Sequence, residues 1–228
     1  MSTSFRVEYY DYRGNPNIGV YIVANNLIAL VPEDLDRRDI NLIKEVLGVE
    51  VYPAKVSDTY LLGVLVAVND KGILVPRTIS DQELRKIKAL GREKGLNIGV
   101  LPSKNNAVGN MVLANNKAAL AYPELDDRSL QVIRDTLDVE VERRAIMGIP
   151  TVGSLGVVTD RGGLIHRDVS EDELEHLSSY FGVPIYTGTV NFGVSFIKTG
   201  LVANRKGGLV GSDTMGPELV RIQMSLGG

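Results

Sequence analysis

Five segments of this chain align with one another without gaps over thirteen residues. They begin at Ile18, Leu62, Val108, Val152 and Ile197, so the copies are spaced by 44, 46, 44 and 45 residues. Twelve residues past each start stands a leucine in every copy: Leu30, Leu74, Leu120, Leu164 and Leu209. Seven past the start come Asn25, Asn69, Asn115, Thr159 and Asn204. A repeat of this length constrains the fold more than any single residue does. Each copy is one supersecondary unit that buries its apolar face against its neighbours.

The copies share a local grammar. An apolar run such as Tyr21-Ile22-Val23-Ala24 or Met111-Val112-Leu113-Ala114 predicts a strand opening the copy. A turn follows, as in Asn69-Asp70-Lys71-Gly72 or Arg205-Lys206-Gly207-Gly208, built from residues that tolerate positive φ. A second short strand, Ile73-Leu74-Val75 in the second copy, completes a β-hairpin. Eighteen past the starts stand Asp36, Ser80, Asp126, Ser170 and Met215, of which the first four are N-cap residues. Ser80 with Glu83 and Ser170 with Glu173 have the capping-box spacing. Apolar pairs at helical spacing follow, such as Ile40 with Ile43 and Leu130 with Ile133. A third strand then begins near Val49, Val139 and Val183.

The two termini complement each other. The fifth copy stops at Gly228 just after its helix, whereas Val7-Glu8-Tyr9 precedes the first copy with no helix of its own. The expected architecture is therefore one α+β domain, residues 1–228, with five-fold pseudosymmetry. Its repeats span about 18–61, 62–107, 108–151, 152–196 and 197–228, and the N-terminal strand near 4–10 closes the ring. Closure removes the strand edges that an open array exposes.

Composition narrows the function. Net charge is −3, so no global field draws the chain to nucleic acid or to an anionic membrane. The chain has no cysteine, which removes disulfides, thiolate metal ligands and cysteine nucleophiles together. No apolar run reaches the ~18 residues of a membrane span, and the residues after Met1 form no signal-peptide core, so a soluble, cytoplasmic protein is expected. His166 and His176, the only histidines, lack a metal-ligand spacing, and neither a catalytic set nor a cofactor motif is present. Lys71, Lys117, Arg161 and Lys206 occupy equivalent turn positions, as a ring of phosphate contacts or as solvated turn residues.

Several motifs carry a family resemblance over essentially the whole chain. They are Asn69-Asp70-Lys71-Gly72-Ile73-Leu74-Val75-Pro76 with Asp81-Gln82-Glu83-Leu84, then Gly109-Asn110 and Tyr122-Pro123-Glu124-Leu125-Asp126. Gly162-Gly163-Leu164-Ile165-His166, Val183-Pro184-Ile185, Gly188-Thr189-Val190-Asn191 and Gly211-Ser212-Asp213-Thr214 follow in the same order. The sequence resembles archaeal members of the translation initiation factor 6 family, whose fold is the pentein, a closed five-bladed α/β-propeller. The resemblance implies a non-enzymatic, monomeric factor without cofactor, metal or small-molecule substrate. Its implied partner is the large ribosomal subunit, through ribosomal proteins at the intersubunit face and the sarcin–ricin region of its RNA. Occupying that face sterically prevents joining of the small subunit.

The resemblance also points to a surface. Asn110 matches a position near the ribosomal contact, and its counterparts Val20, Val64, Ser154 and Thr199 are expected on the same rim. Asn191 reads either as a second binding residue or as part of a tight connection. Phe192 reads as a core residue, with a partner-anchoring aromatic as the alternative. Lys71, Lys117, Arg161 and Lys206 define the alternative rim. Two rival readings remain: a guanidino-group hydrolase or transferase of the same fold, which the missing cysteine nucleophile excludes, and a protein-binding scaffold without a ribosomal role.

Overall fold

The computed structural model describes residues 5–228, so Met1 to Ser4, including the first residue of the expected closing strand, lie outside the described part. Strand β1 (Arg6–Tyr9) comes first, then a 3₁₀ turn (Ile18–Val20), β2 (Val23–Ala24), β3 (Ile28–Pro32), helix α1 (Arg37–Leu47) and β4 (Glu50–Ala54). The second copy runs α2 (Leu62–Leu65), β5 (Ala67–Val68), β6 (Gly72–Pro76), α3 (Asp81–Lys94) and β7 (Asn97–Leu101). The third runs α4 (Val108–Met111), β8 (Val112–Ala114), β9 (Ala118–Ala121), α5 (Asp127–Leu137) and β10 (Glu140–Arg143). The fourth runs α6 (Val152–Leu155), β11 (Gly156–Val158), β12 (Gly163–His166), α7 (Glu171–Phe181) and β13 (Ile185–Gly188). The fifth ends with α8 (Ile197–Gly200), β14 (Leu201–Ala203), β15 (Gly207–Val210) and α9 (Gly216–Gly227).

The first four copies each contribute one three-stranded sheet of a mixed α/β fold, and the fifth contributes two strands of a fifth sheet. First and second strands pair antiparallel through the expected hairpin, and the third strand returns parallel to the second after the helix crossover. In the fifth sheet the outer place is taken by β1, which pairs parallel with β15, Val7 opposite Gly208. The first strands touch one another in a cycle, β2 to β5 to β8 to β11 to β14 and back to β2. Five apolar clusters lie between successive sheets. The one around Ile18, Ile43 and Leu47 includes Val202 and Leu209, and so joins the fifth copy to the first.

All five expected N-cap positions hold, but the capping chemistry differs from the sequence reading. Ser80 and Glu83 make the reciprocal box. Ser170 accepts from the Glu173 N–H, yet the Glu173 carboxylate turns away to the Met147 N–H, 3.3 Å distant, so that box is half formed. Copies also open differently from the expectation. The residues at each start form a single helical turn, and the strand begins several residues later. Glycine is the reason. A Cβ at Gly63 would collide with the carbonyl oxygen of Gly19, one at Gly109 with that of Gly63, and one at Gly153 with that of Gly109. These turns stack backbone to backbone round the axis, closer than any side chain permits.

Candidate functional site

The helical turns form one rim, each touching the next in the same cyclic order as the strands. Asn110 is the third residue of α4, not the first of a strand, and Val20, Val64, Ser154 and Thr199 hold the same place in their turns. Four of these five are half-buried and Ser154 is buried. Their polar groups are not equivalent. Ser154 Oγ donates to the Thr151 carbonyl at 2.6 Å and Thr199 Oγ1 to the Phe196 carbonyl at 2.7 Å, so both hydroxyls are engaged within their own turns. The Asn110 side-chain amide makes no hydrogen bond among the described residues.

Tight loops lead into four of these turns, closed by bridges at Tyr12–Asn15, Val56–Thr59, Ile146–Ile149 and Val190–Val194. Their tips carry positive φ at non-glycine residues: Arg13, Ser57, Asp58, Met147, Asn191 and Phe192. An acidic residue in the following helix braces each of three loops. Glu83 accepts from the Ser57 and Asp58 N–H groups, Glu173 from Met147, and Glu218 from Phe192 and Gly193. Burial pushes the Glu218 carboxyl up, but the Thr189 hydroxyl and the N–H groups of Met215, Gly193 and Phe192 outweigh it and hold the group below the usual carboxylate value.

Phe192 corrects the sequence reading, since it is 77% exposed rather than core. Its φ of +60° turns the ring out of the loop, and Glu218 fixes that backbone. Asn191 is buried. Its Nδ2 donates to the Pro16 carbonyl at 2.9 Å and its Oδ1 accepts from the Thr214 hydroxyl at 3.1 Å. It is a clasp that ties the loop entering the fifth copy to Thr214 of that copy and to the segment just before the first. Neither role could be read from residue type, because the partners lie 23 to 175 residues away.

The opposite rim carries the hairpin turns. Here Asn69 Oδ1 accepts from Lys71 and Gly72 N–H, while Nδ2 donates to the carbonyls of Asn115 (3.1 Å) and Leu137 (2.7 Å). One side chain thus holds its own turn, the next turn and the end of the next helix. Asn115 and Asn204 repeat the pattern, reaching Phe181 and Leu47 respectively. One residue further on, the amides of Asn26 and Asn116 bridge the carboxylates of Asp70 and Asp160 and plug the axis. Three cations of this rim are engaged as well. Lys117 Nζ donates to Gly182 at 2.8 Å and Lys206 Nζ to Gly48, capping the C-termini of α7 and α1. Arg161 reaches the Arg205 carbonyl, which leaves Lys71 and Arg205 as exposed cations with no such bond.

Between the rims lies an axial cavity of about 90 Å³ walled by the first strands. It holds one titratable side chain, Lys198, and no nucleophile–base pair. No group of three or more His, Asp or Glu among the described residues could hold a metal ion. Among the described residues no helix is long and apolar enough to cross a membrane.

The sequence model of the eIF-6 family matches residues 7–225. The chain belongs to the eIF-6 family. Translation initiation factor 6 of Saccharolobus islandicus is 50% identical over 215 residues, covering 94% of this chain and 96% of its relative. That of Aeropyrum pernix is 48% identical, covering 99% of this chain and 97% of its own length. That of Pyrococcus abyssi is 41% identical, covering 97% and 98%. These eIF-6 relatives are named as translation initiation factors, not as enzymes, and translation is the process in which this family member takes part. Among solved structures, a dimethylarginine dimethylaminohydrolase of Pseudomonas aeruginosa is similar at 14% identity and a TM-score of 0.49, covering 78% of this chain and 71% of that one.

Proposed function

We propose that this eIF-6 family member binds the large ribosomal subunit through the rim of helical turns. Covering the joining face, it keeps the small subunit from associating prematurely. The contact falls on ribosomal proteins of the intersubunit face and on the sarcin–ricin region. The protein acts as a cytoplasmic monomer, a single domain closed as a five-bladed α/β-propeller of the pentein kind. The cyclic strand contacts support that closure.

One observation carries the choice of rim. On the hairpin rim Lys117, Arg161 and Lys206 are bonded to backbone carbonyls, which leaves Lys71 and Arg205 as its exposed cations without such a bond. On the other rim the Asn110 amide has no internal partner and the Phe192 ring stands 77% exposed on a braced loop. Binding groups are those whose hydrogen bonds and apolar surface are not already satisfied inside the fold.

Cosedimentation with isolated subunits tests the reading. Wild type pellets with large subunits and not with small ones, and excess protein lowers the yield of whole ribosomes in a sucrose gradient. Asn110→Arg and Phe192→Ala each weaken pelleting at unchanged melting temperature, whereas Lys71→Glu pellets as wild type does. Loss of binding in Lys71→Glu alone moves the contact to the hairpin rim. No pelleting with either subunit overturns the ribosomal role and leaves a protein-binding scaffold.

A further inference from the structure

The long helices break the five-fold likeness in charge. Helix α7 carries four carboxylates, Glu171, Asp172, Glu173 and Glu175, and neither lysine nor arginine, whereas α3 carries five cations against three acids. Helix α3 is also longer, with 14 residues where the other four have 11 or 12. Its extra turn lies close on β7 because residue 91 is glycine. A Cβ there would come within 2.8 Å of the Ile98 side chain and of the Leu96 carbonyl. That turn brings Arg92 to the surface.

Arg85, Lys88 and Arg92 stand at i, i+3 and i+7, hence on one exposed stripe, with Asp81 at its N-terminal end. Among the described residues none of the three side chains makes an ion pair or a hydrogen bond. The other two cations of the helix are taken, Lys86 by Glu33 at 3.2 Å and Lys94 by Glu50 and Glu93. Glu83 turns instead to the Ser57 and Asp58 N–H groups. The neighbouring acids are thus engaged elsewhere, and Asp81 is left as the one free carboxylate of α3. A cation in the last turn favours any helix, which accounts for Arg92 alone. Arg85 and Lys88 lie mid-helix and serve no cap.

Seven residues of helix separate Arg85 from Arg92 by about 10 Å, about one Debye length, so the three charges act together. The same distance spans about three nucleotide steps of a strand. None of the exposed large apolar side chains lies on α3. A protein partner takes its affinity from such apolar anchors. A phosphate backbone needs only cations, and the arginine fork meets its oxygens two at a time. Helix α3 begins beside the rim of helical turns, where its Glu83 braces the loop tip at Ser57. We propose that the exposed face of α3 docks on the RNA phosphate backbone of the large subunit through Arg85, Lys88 and Arg92, an inference that rests on the ribosomal function proposed above. The acidic face of α7 is repelled by the same backbone, so the two helices together orient the protein on the subunit.

The chain has no cysteine, so one introduced thiol can carry a tethered iron–EDTA group that cuts nearby RNA by hydroxyl radical. Ala89 lies on the exposed face of α3 between Arg85 and Arg92, and Ser179 holds the equivalent exposed place on α7. In complexes that pellet with large subunits, the probe on Ala89→Cys cuts the RNA at a discrete site, and the probe on Ser179→Cys leaves it whole. Combining Arg85→Gln, Lys88→Gln and Arg92→Gln weakens pelleting at unchanged melting temperature and flattens its salt dependence. Between about 50 and 200 mM salt the wild type loses about 40-fold more affinity than this triple variant, the share of three phosphate contacts. Pelleting without a cut from Ala89→Cys, equal cutting from Ser179→Cys, or an unchanged salt dependence in the triple variant overturns the α3 contact and leaves the ribosomal function standing. Absence of pelleting in the wild type overturns both.

Discussion

Glu218 accepts four hydrogen bonds, from the Thr189 hydroxyl and from the N–H groups of Phe192, Gly193 and Met215. Two successive residues of this loop, Asn191 and Phe192, hold φ of +46° and +60°, a conformation that costs a non-glycine residue about 1–2 kcal/mol. The carboxylate offsets that strain, so Glu218→Gln is expected to lower stability by about 1.5–3 kcal/mol in urea unfolding. The pH dependence follows from the direction of its shift. The folded carboxyl ionises more readily than the unfolded one, so its stabilisation is complete above the ordinary glutamate value of about 4.3 and fades as pH falls through the folded value. The gap between wild type and Glu218→Gln in urea midpoint should therefore close on acidification. Phe192→Gly relieves the φ penalty and removes no buried surface. It should keep or raise the melting temperature while weakening subunit pelleting. None of this was legible from Thr189 to Gly193 alone. An aromatic between Asn and Gly reads as core by hydropathy, and the brace that turns it outward comes from a carboxylate 26 residues further along.

At the scale of the element, the hairpin asparagines explain a pattern the repeat alignment exposes without a reason. Asn69, Asn115 and Asn204 each reach the next turn and the next helix end, 44 to 179 residues away in the chain. Asn69→Ala strands two buried carbonyls and two turn N–H groups and should cost about 2–4 kcal/mol by chemical unfolding. Thr159 holds its own turn through Oγ1 but has no amide to send toward the fifth copy. Thr159→Asn should supply the missing bond and raise stability by about 1 kcal/mol, a gain of about 2–4 °C. Helix starts were legible because a cap acts within one turn, as Asp36 does for Arg38 and Asp39. The helical turns at the copy starts were not. Val-Gly-Asn-Met carries no local helix signal, and its conformation is imposed by the neighbouring turn against which Gly109 packs.

For the whole molecule the collar of glycines and the shared fifth sheet carry the most weight. Gly63→Ala drives a methyl into the Gly19 carbonyl and should destabilise by about 3 kcal/mol or more, read as a lower urea midpoint. Removing residues 5–9 uncovers the edge of β15 and should broaden the unfolding transition and promote self-association in gel filtration. The five-fold arrangement was legible because the copies repeat their leucines and caps at one spacing. The axial lysine was equally visible as the one departure from glycine, but its meaning depends on what faces it across the ring. Pairing of Arg6–Tyr9 with Gly207–Val210 also sets a schedule for the nascent chain. At about 5–20 residues per second, the ribosome needs roughly 10–40 s to make the stretch between them. During that interval the first segment has no partner, while the second, third and fourth copies can already form their own sheets from residues in hand. Completion is thus timed by the last segment to emerge, and a stalled or shortened product would present an unpaired N-terminal strand as its mark of incompleteness.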